Sequence, residues 1–127
     1  MRFISLVCAL LLAAPSLAQQ YPTKVMRWVV PFAAGGGTDV VSRPIAVAGG
    51  DIRGQPVAYD NRGVGNGMIA GEIVARAAPD GYTLLVGSPS IMTTNQHLYA
   101  KMTFDPLVDF TPVARFAKVP NLLIAHP

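Results

Sequence analysis

Val25-Met26-Arg27-Trp28-Val29-Val30-Pro31-Phe32-Ala33-Ala34-Gly35-Gly36-Gly37-Thr38-Asp39 is the stretch on which the fold turns. Val25 to Phe32 is β-branched and aromatic and closes on Pro31-Phe32, which reads as a strand. The glycine run behind it reads as a loop. Thr38 can then cap a helix, and Asp39 at its first position suits the positive end of the helix dipole. Strand, glycine loop and helix in that order open an α/β unit.

Working outward, the first helix carries its own obstacles. Pro44 withholds an amide from the carbonyl of residue 40 and pushes Arg43 off helical angles, and Gly49-Gly50 each cost about 1 kcal/mol relative to alanine. A kink or an early stop is expected. A second strand is expected at Pro56-Val57-Ala58-Tyr59, then a glycine loop (Gly63, Gly65, Gly67), then a helix over 68–77 that ends before the turn Pro79-Asp80-Gly81. Thr83-Leu84-Leu85-Val86-Gly87 is a short unbroken apolar run of the kind found in a central strand with helices on both faces. A polar loop over 88–95 leads to a helical piece over 96–99. Two apolar segments, 112–117 and 121–125, complete a β-α-β-α-β-(α)-β order and predict a mostly parallel α/β sheet.

The chain has 127 residues, the size of one ordinary domain or part of one. Hydrophobic residues make up 51% against 13% charged, which excludes disorder as a whole-chain state. Met1-Arg2, the apolar run from Phe3 to Ala14 and the small-x-small stretch Ser16-Leu17-Ala18 read as a secretory signal peptide over 1–18, too short to span a bilayer. A cleaved chain from about 19 to 127, in the periplasm or outside the cell, is expected. The one cysteine, Cys8, falls inside the leader, so the exported chain has no disulfide, thiol nucleophile or Cys-ligated metal. The net charge is only +3, and Arg27, Arg43, Arg53, Arg62, Arg76 and Arg115 are scattered, so no nucleic-acid partner is expected.

Catalytic constellations are missing as well. His97 and His126 have no metal-type spacing, and Asp105 and Asp109 sit in a loop-like stretch broken by Pro106. Gly87-Ser88-Pro89-Ser90-Ile91 puts proline where a hydrolase elbow needs its nucleophile, and no Gly-Lys-Ser/Thr occurs. No enzyme, no metal and no cofactor is expected. Gly65-Asn66-Gly67-Met68-Ile69-Ala70 matches a dinucleotide fingerprint, but the next strand ends in Gly87-Ser88 without the carboxylate that would hold a ribose. A small exported α/β nucleotide-binding module or enzyme built on Gly65-Asn66-Gly67 is therefore the alternative reading. Gly35-Gly36-Gly37 has two readings of equal standing, a turn that merely connects or an anion site made of glycine amides and a helix start. Asp39 opposes a bare anion at its side chain; it suits orienting a water, holding the loop or receiving an ammonium.

Tyr21-Pro22-Thr23-Lys24, Val29 to Asp39, Gly54-Gln55-Pro56-Val57, Asn61-Arg62-Gly63, Ala75 to Leu84 and Tyr99 to Phe110 together resemble the N-terminal part of the Bug-type receptors. These are the periplasmic solute-binding proteins of the tripartite tricarboxylate transporter system. The resemblance implies a two-lobed Venus-flytrap fold of the periplasmic-binding-protein type, of which 19–127 would be a partial first lobe. It implies binding of a small organic acid or amino acid, and delivery to the membrane components of the transporter. By position it implies two ligand-gripping arms: Phe32, Ala34, Gly35, Gly36, Gly37, Thr38 and Asp39 in the first, and Ser88, Ser90, Thr94 and Asn95 in the second. Val64, Asn66, Met68 and Ala70 depart from the family's glycine loop, and Pro89, Ser90 and Ile91 from its small polar run. Family members continue for well over a hundred residues past the position of Pro127.

Overall fold

The structure is a computed structural model that describes residues 21–118 and 122–125. The leader expected at 1–18, together with Asn121 and His126, lies outside the described residues. The chain runs through β1 (Met26–Val30), α1 (Gly37–Arg53), β2 (Val57–Asn61), a 3-10 turn (Gly65–Gly67), α2 (Met68–Ala75), β3 (Thr83–Leu85), a π-helical turn (Ser90–Thr94) and α3 (Asn95–Leu98). The three strands form one parallel sheet in the order β2-β1-β3. Met26 to Val30 pair with Val57 to Asn61, and Arg27 to Val29 with Thr83 to Leu85.

The parallel α/β expectation holds, while the place of the apolar run is corrected. β1, with Val29 and Val30 fully buried, is the centre of the sheet; β3 is an edge among the described residues, its three positions only half-buried. A short apolar run looks the same in a central strand and in an edge strand packed beneath a helix, because periodicity needs more residues to show itself. The chain leaves β1, returns as β2 on one side, then crosses back to β3 on the other. Right-handed crossovers then place α1 and α2 on opposite faces of the sheet.

α1 runs without a break for 17 residues through Pro44 and Gly49-Gly50, contrary to the expected kink or early stop. Its buried side, Asp39, Ser42, Ala46 and Gly50, follows the helical period and packs on β2, and this packing outweighs local propensity. Gly50 is an asset here: a side chain at that position would press on the carbonyl of Gln55, 3.0 Å away. The stop comes at Gly54, in left-handed conformation (φ 68°), whose N–H bonds the Gly50 carbonyl. The cap is Gly36, in extended conformation, rather than Thr38, and Asp39 is the third helical residue rather than the first.

Residues 111–118 and 122–125 carry no regular structure and are exposed, so the strands expected at 112–117 and 121–125 do not form among the described residues. β-branched composition does not make a strand where no sheet edge pairs with it. The stretch before them is anchored: Phe104 lies on Gly71 of α2 and meets Phe110 edge-on at 5.5 Å between ring centres.

Candidate functional site

The strand order reverses direction between β1 and β3, and in open α/β sheets the crevice at the carboxyl ends of two such strands is where ligands bind. The segments leaving those two ends are the two arms singled out in the sequence. Phe32 to Asp39 follows β1, and Ser88 to Asn95 follows β3.

The first arm is more internally committed than its glycines suggest. The Gly35 N–H donates to Asp39 Oδ2 (2.9 Å) and the Gly36 N–H to the Ala33 carbonyl (3.1 Å). The first in-helix bond of α1 is Val40 N–H to the Gly36 carbonyl (2.9 Å), and Gly36 has no side chain to cap with. The amides of Gly37, Thr38 and Asp39 therefore have no partner among the described residues, and they stand at the positive end of a 17-residue helix. Of the three glycines, only Gly37 offers a free donor.

Asp39 does not face an incoming anion as a naked charge. Its side chain is 4% exposed and accepts from Gly35 N–H, from Arg43 Nη2 (2.7 Å) and from Asn61 Nδ2 (3.1 Å). The Gly35 amide, followed by Asn61 and Arg43, holds its carboxyl below the ordinary range despite burial. Asn61, the last residue of β2, also donates to the Phe32 carbonyl (3.1 Å), and Arg43 lies 4.3 Å from the Tyr59 ring centre. Of the roles open to Asp39 in the sequence, holding the loop is the one its contacts match. Sequence reasoning missed Arg43 and Asn61. The four-residue step from Asp39 to Arg43 was a readable helix pair; Asn61 entered only as part of the resemblance, because its partners, Asp39 and the Phe32 carbonyl, are far from it in sequence.

The second arm is helical rather than the expected polar loop. Pro89 opens it, and Thr93 and Thr94 turn their hydroxyls back to the Pro89 carbonyl (2.8 and 3.4 Å). Ser90 is half-buried. Ser88 is 8% exposed, and its hydroxyl has no partner among the described residues. The hydroxyl itself is buried, so it is an unpaired hydrogen-bonding position beneath the arm rather than an exposed donor. Asn95 is fully buried and wholly engaged: Asn66 Nδ2 donates to its Oδ1 (2.8 Å), and its Nδ2 donates to the Asn66 carbonyl (3.0 Å). It thus shapes the site from behind.

The dinucleotide fingerprint is already occupied by the protein. A Cβ on Gly67 would lie 2.5 Å from Ile91 Cδ1 and 3.1 Å from Pro31 Cβ. The close approach a pyrophosphate would need is taken by Ile91, which is itself fully buried. Among the described residues no cluster of His, Cys, Asp or Glu could hold a metal ion, and no helix is long and apolar enough to cross a membrane.

Residues 41–127 match the model of the tripartite tricarboxylate transporter family receptor. The chain belongs to that family. It is 34% identical over 127 residues to a UPF0065 protein of Bordetella pertussis and 38% identical over 117 residues to protein BugT of the same organism. It covers 100% and 91% of itself in these pairings but only 39% and 36% of the relatives. The receptor-family chain thus spans under two fifths of the length of these relatives. Among solved structures it is similar to Rpa4515 of R. palustris with adipate (TM-score 0.70, 45% identity, 73% of this chain and 31% of that one). It is also similar to MatC of Rhodopseudomonas palustris with bound malate (TM-score 0.65, 37% identity, 76% and 33%). Family members are solute-binding proteins rather than enzymes, which fits the receptor reading of the sequence.

Proposed function

We propose that this chain is the first-lobe part of a periplasmic receptor that grips a small organic acid by a carboxylate and presents it to the membrane components of a tripartite transporter. The observation that carries this is the start of α1, where the Gly37, Thr38 and Asp39 amides lie unpaired at the crevice while the one nearby carboxylate is neutralised by Arg43. An anion placed there meets three N–H donors and the helix dipole. At the root of the other arm, Ser88 keeps a buried, unpaired hydroxyl. Two similar proteins were solved with dicarboxylates, adipate and malate, which supports a dicarboxylate here too. An amino acid fits less well, because Asp39, the carboxylate of the first arm, is already spent and leaves nothing to receive an ammonium. Export by a leader over 1–18, with 19–127 forming the partial lobe, belongs to the same proposal.

Nitrogen-15 NMR titration with malate and adipate tests it, because it detects the weak binding expected of a carboxylate held by one face of a crevice. Amide shifts at Gly37, Thr38 and Asp39 that saturate support the reading. Silence there at high solute, or shifts centred on Gly65-Asn66-Gly67 with a nicotinamide dinucleotide, would transfer support to the nucleotide-binding alternative.

A further inference from the structure

The glycine turn that resembles a dinucleotide fingerprint touches both arms of the crevice. Gly63 backs onto the first arm so closely that a Cβ would lie 2.6 Å from the Ala33 amide nitrogen. Gly67 leaves room for Pro31, at the root of that arm, and for Ile91 of the second. Between them stands Asn66, the one non-glycine residue with positive φ among the described residues (φ 50°, ψ 35°). That backbone directs its side-chain amide onto Asn95, and the two asparagines exchange hydrogen bonds in both directions, side chain to side chain and side chain to main chain. Asn95 sits where the π-helical turn passes into α3, so the pair fixes the C-terminal end of the second arm.

We propose that the Asn66–Asn95 clasp is a positioning device of the receptor: it sets the second arm against the first at the carboxyl ends of β1 and β3, where the start of α1 meets a carboxylate. Asn66 then acts on the solute only through Asn95 and the arm. The inference rests on the carboxylate-receptor reading, yet it can be tested without solute. Among the described residues no other side-chain hydrogen bond joins the second arm to the rest of the fold, and the left-handed backbone at Asn66 is a conformation that glycine adopts without steric cost. Asn66→Gly therefore removes the side-chain bond and spares the turn. Asn66→Asp has the same shape but replaces the donor with an oxygen that faces Asn95 Oδ1.

Amide hydrogen exchange on the full chain, without solute, is the first measurement. In both variants exchange at Met92 and Tyr99, whose amides bond back to Ser88 and Asn95, is expected to rise about tenfold, with the amides of β1 unchanged. Malate titration is the second: first-arm shifts are expected to persist, second-arm shifts to disappear, and affinity to weaken about tenfold. Unchanged exchange at Met92 and Tyr99 in both variants overturns the clasp whether or not malate binds. Raised exchange with parent-like malate shifts at both arms overturns its role in the site. A parent that gives no malate shift while the variants still loosen the second arm refutes only the carboxylate reading.

Discussion

Asp39 shows how one side chain reconciles a negative charge with an anion site. Its three partners lower its pKa below the ordinary 3.8, so as the pH falls the unfolded chain takes up this proton first. The stability Asp39 contributes is complete above that value and is lost as the pH drops through it toward the folded-state pKa. Asp60, worked upward by burial but held below the ordinary value by Arg27 and Arg62, and Asp80, lowered by the Tyr82 amide and Lys24, act in the same direction. Urea midpoints measured from pH 7 to pH 3 should therefore fall in acid, and Asp39→Asn should make that fall shallower; an unchanged slope would show that the loop is held by other means. At Gly67, alanine would carry a Cβ at φ 84° into Ile91. Strain of about 1–2 kcal/mol from the left-handed backbone and about 1–3 from overpacking are expected, seen as a lower thermal midpoint. At this scale the sequence showed which glycines matter and left their use open: Gly35-Gly36-Gly37 allowed a connecting turn or an anion site, and Gly65-Asn66-Gly67 a close-packed turn or a nucleotide site, and the contacts of Gly35, Gly36 and Gly67 are with the protein itself.

At the scale of elements, strands and helices were legible wherever local chemistry decides them. β1, the glycine turn, α2 and the turn at Pro79-Asp80-Gly81 fall within a few residues of their expected places. α1 did not yield to local reading, because its continuity depends on β2 beneath Asp39, Ser42, Ala46 and Gly50. Pro44 is thus a tolerated defect on the exposed side of the helix. Pro44→Ala should restore a bond to the Val40 carbonyl and raise stability by about 1–3 kcal/mol, read from chemical denaturation. A loss of stability would mean that α1 needs the proline's stiffness.

On the scale of the whole molecule, α1 presents Val40, Val41 and Val47 to solvent at 61%, 46% and 59% exposure, beside Pro44 and Ala48 along a shallow groove. Exposed apolar side chains grouped in this way favour association. Sedimentation of the chain should show a concentration-dependent shift to larger species, and Val40→Lys with Val47→Glu should reduce it; a monomer at all concentrations would show the face to be harmless. The strands expected at 112–117 and 121–125 do not form among the described residues for a related reason: a strand is a property of a pair, and one sequence shows only one member.

The central claim is that the free amides at the start of α1 hold a carboxylate, and Gly37→Pro tests it most directly. Proline is favoured at the first helical position, Gly36 already has the extended backbone that must precede it (φ −69°, ψ 165°), and space beside Gly37 is open. The substitution deletes one N–H donor and little else. In an NMR titration with malate, affinity should weaken about five- to tenfold, the loss of about 1–1.5 kcal/mol that one hydrogen bond supplies, at an unchanged thermal midpoint. Equal malate affinity in parent and variant would contradict the account.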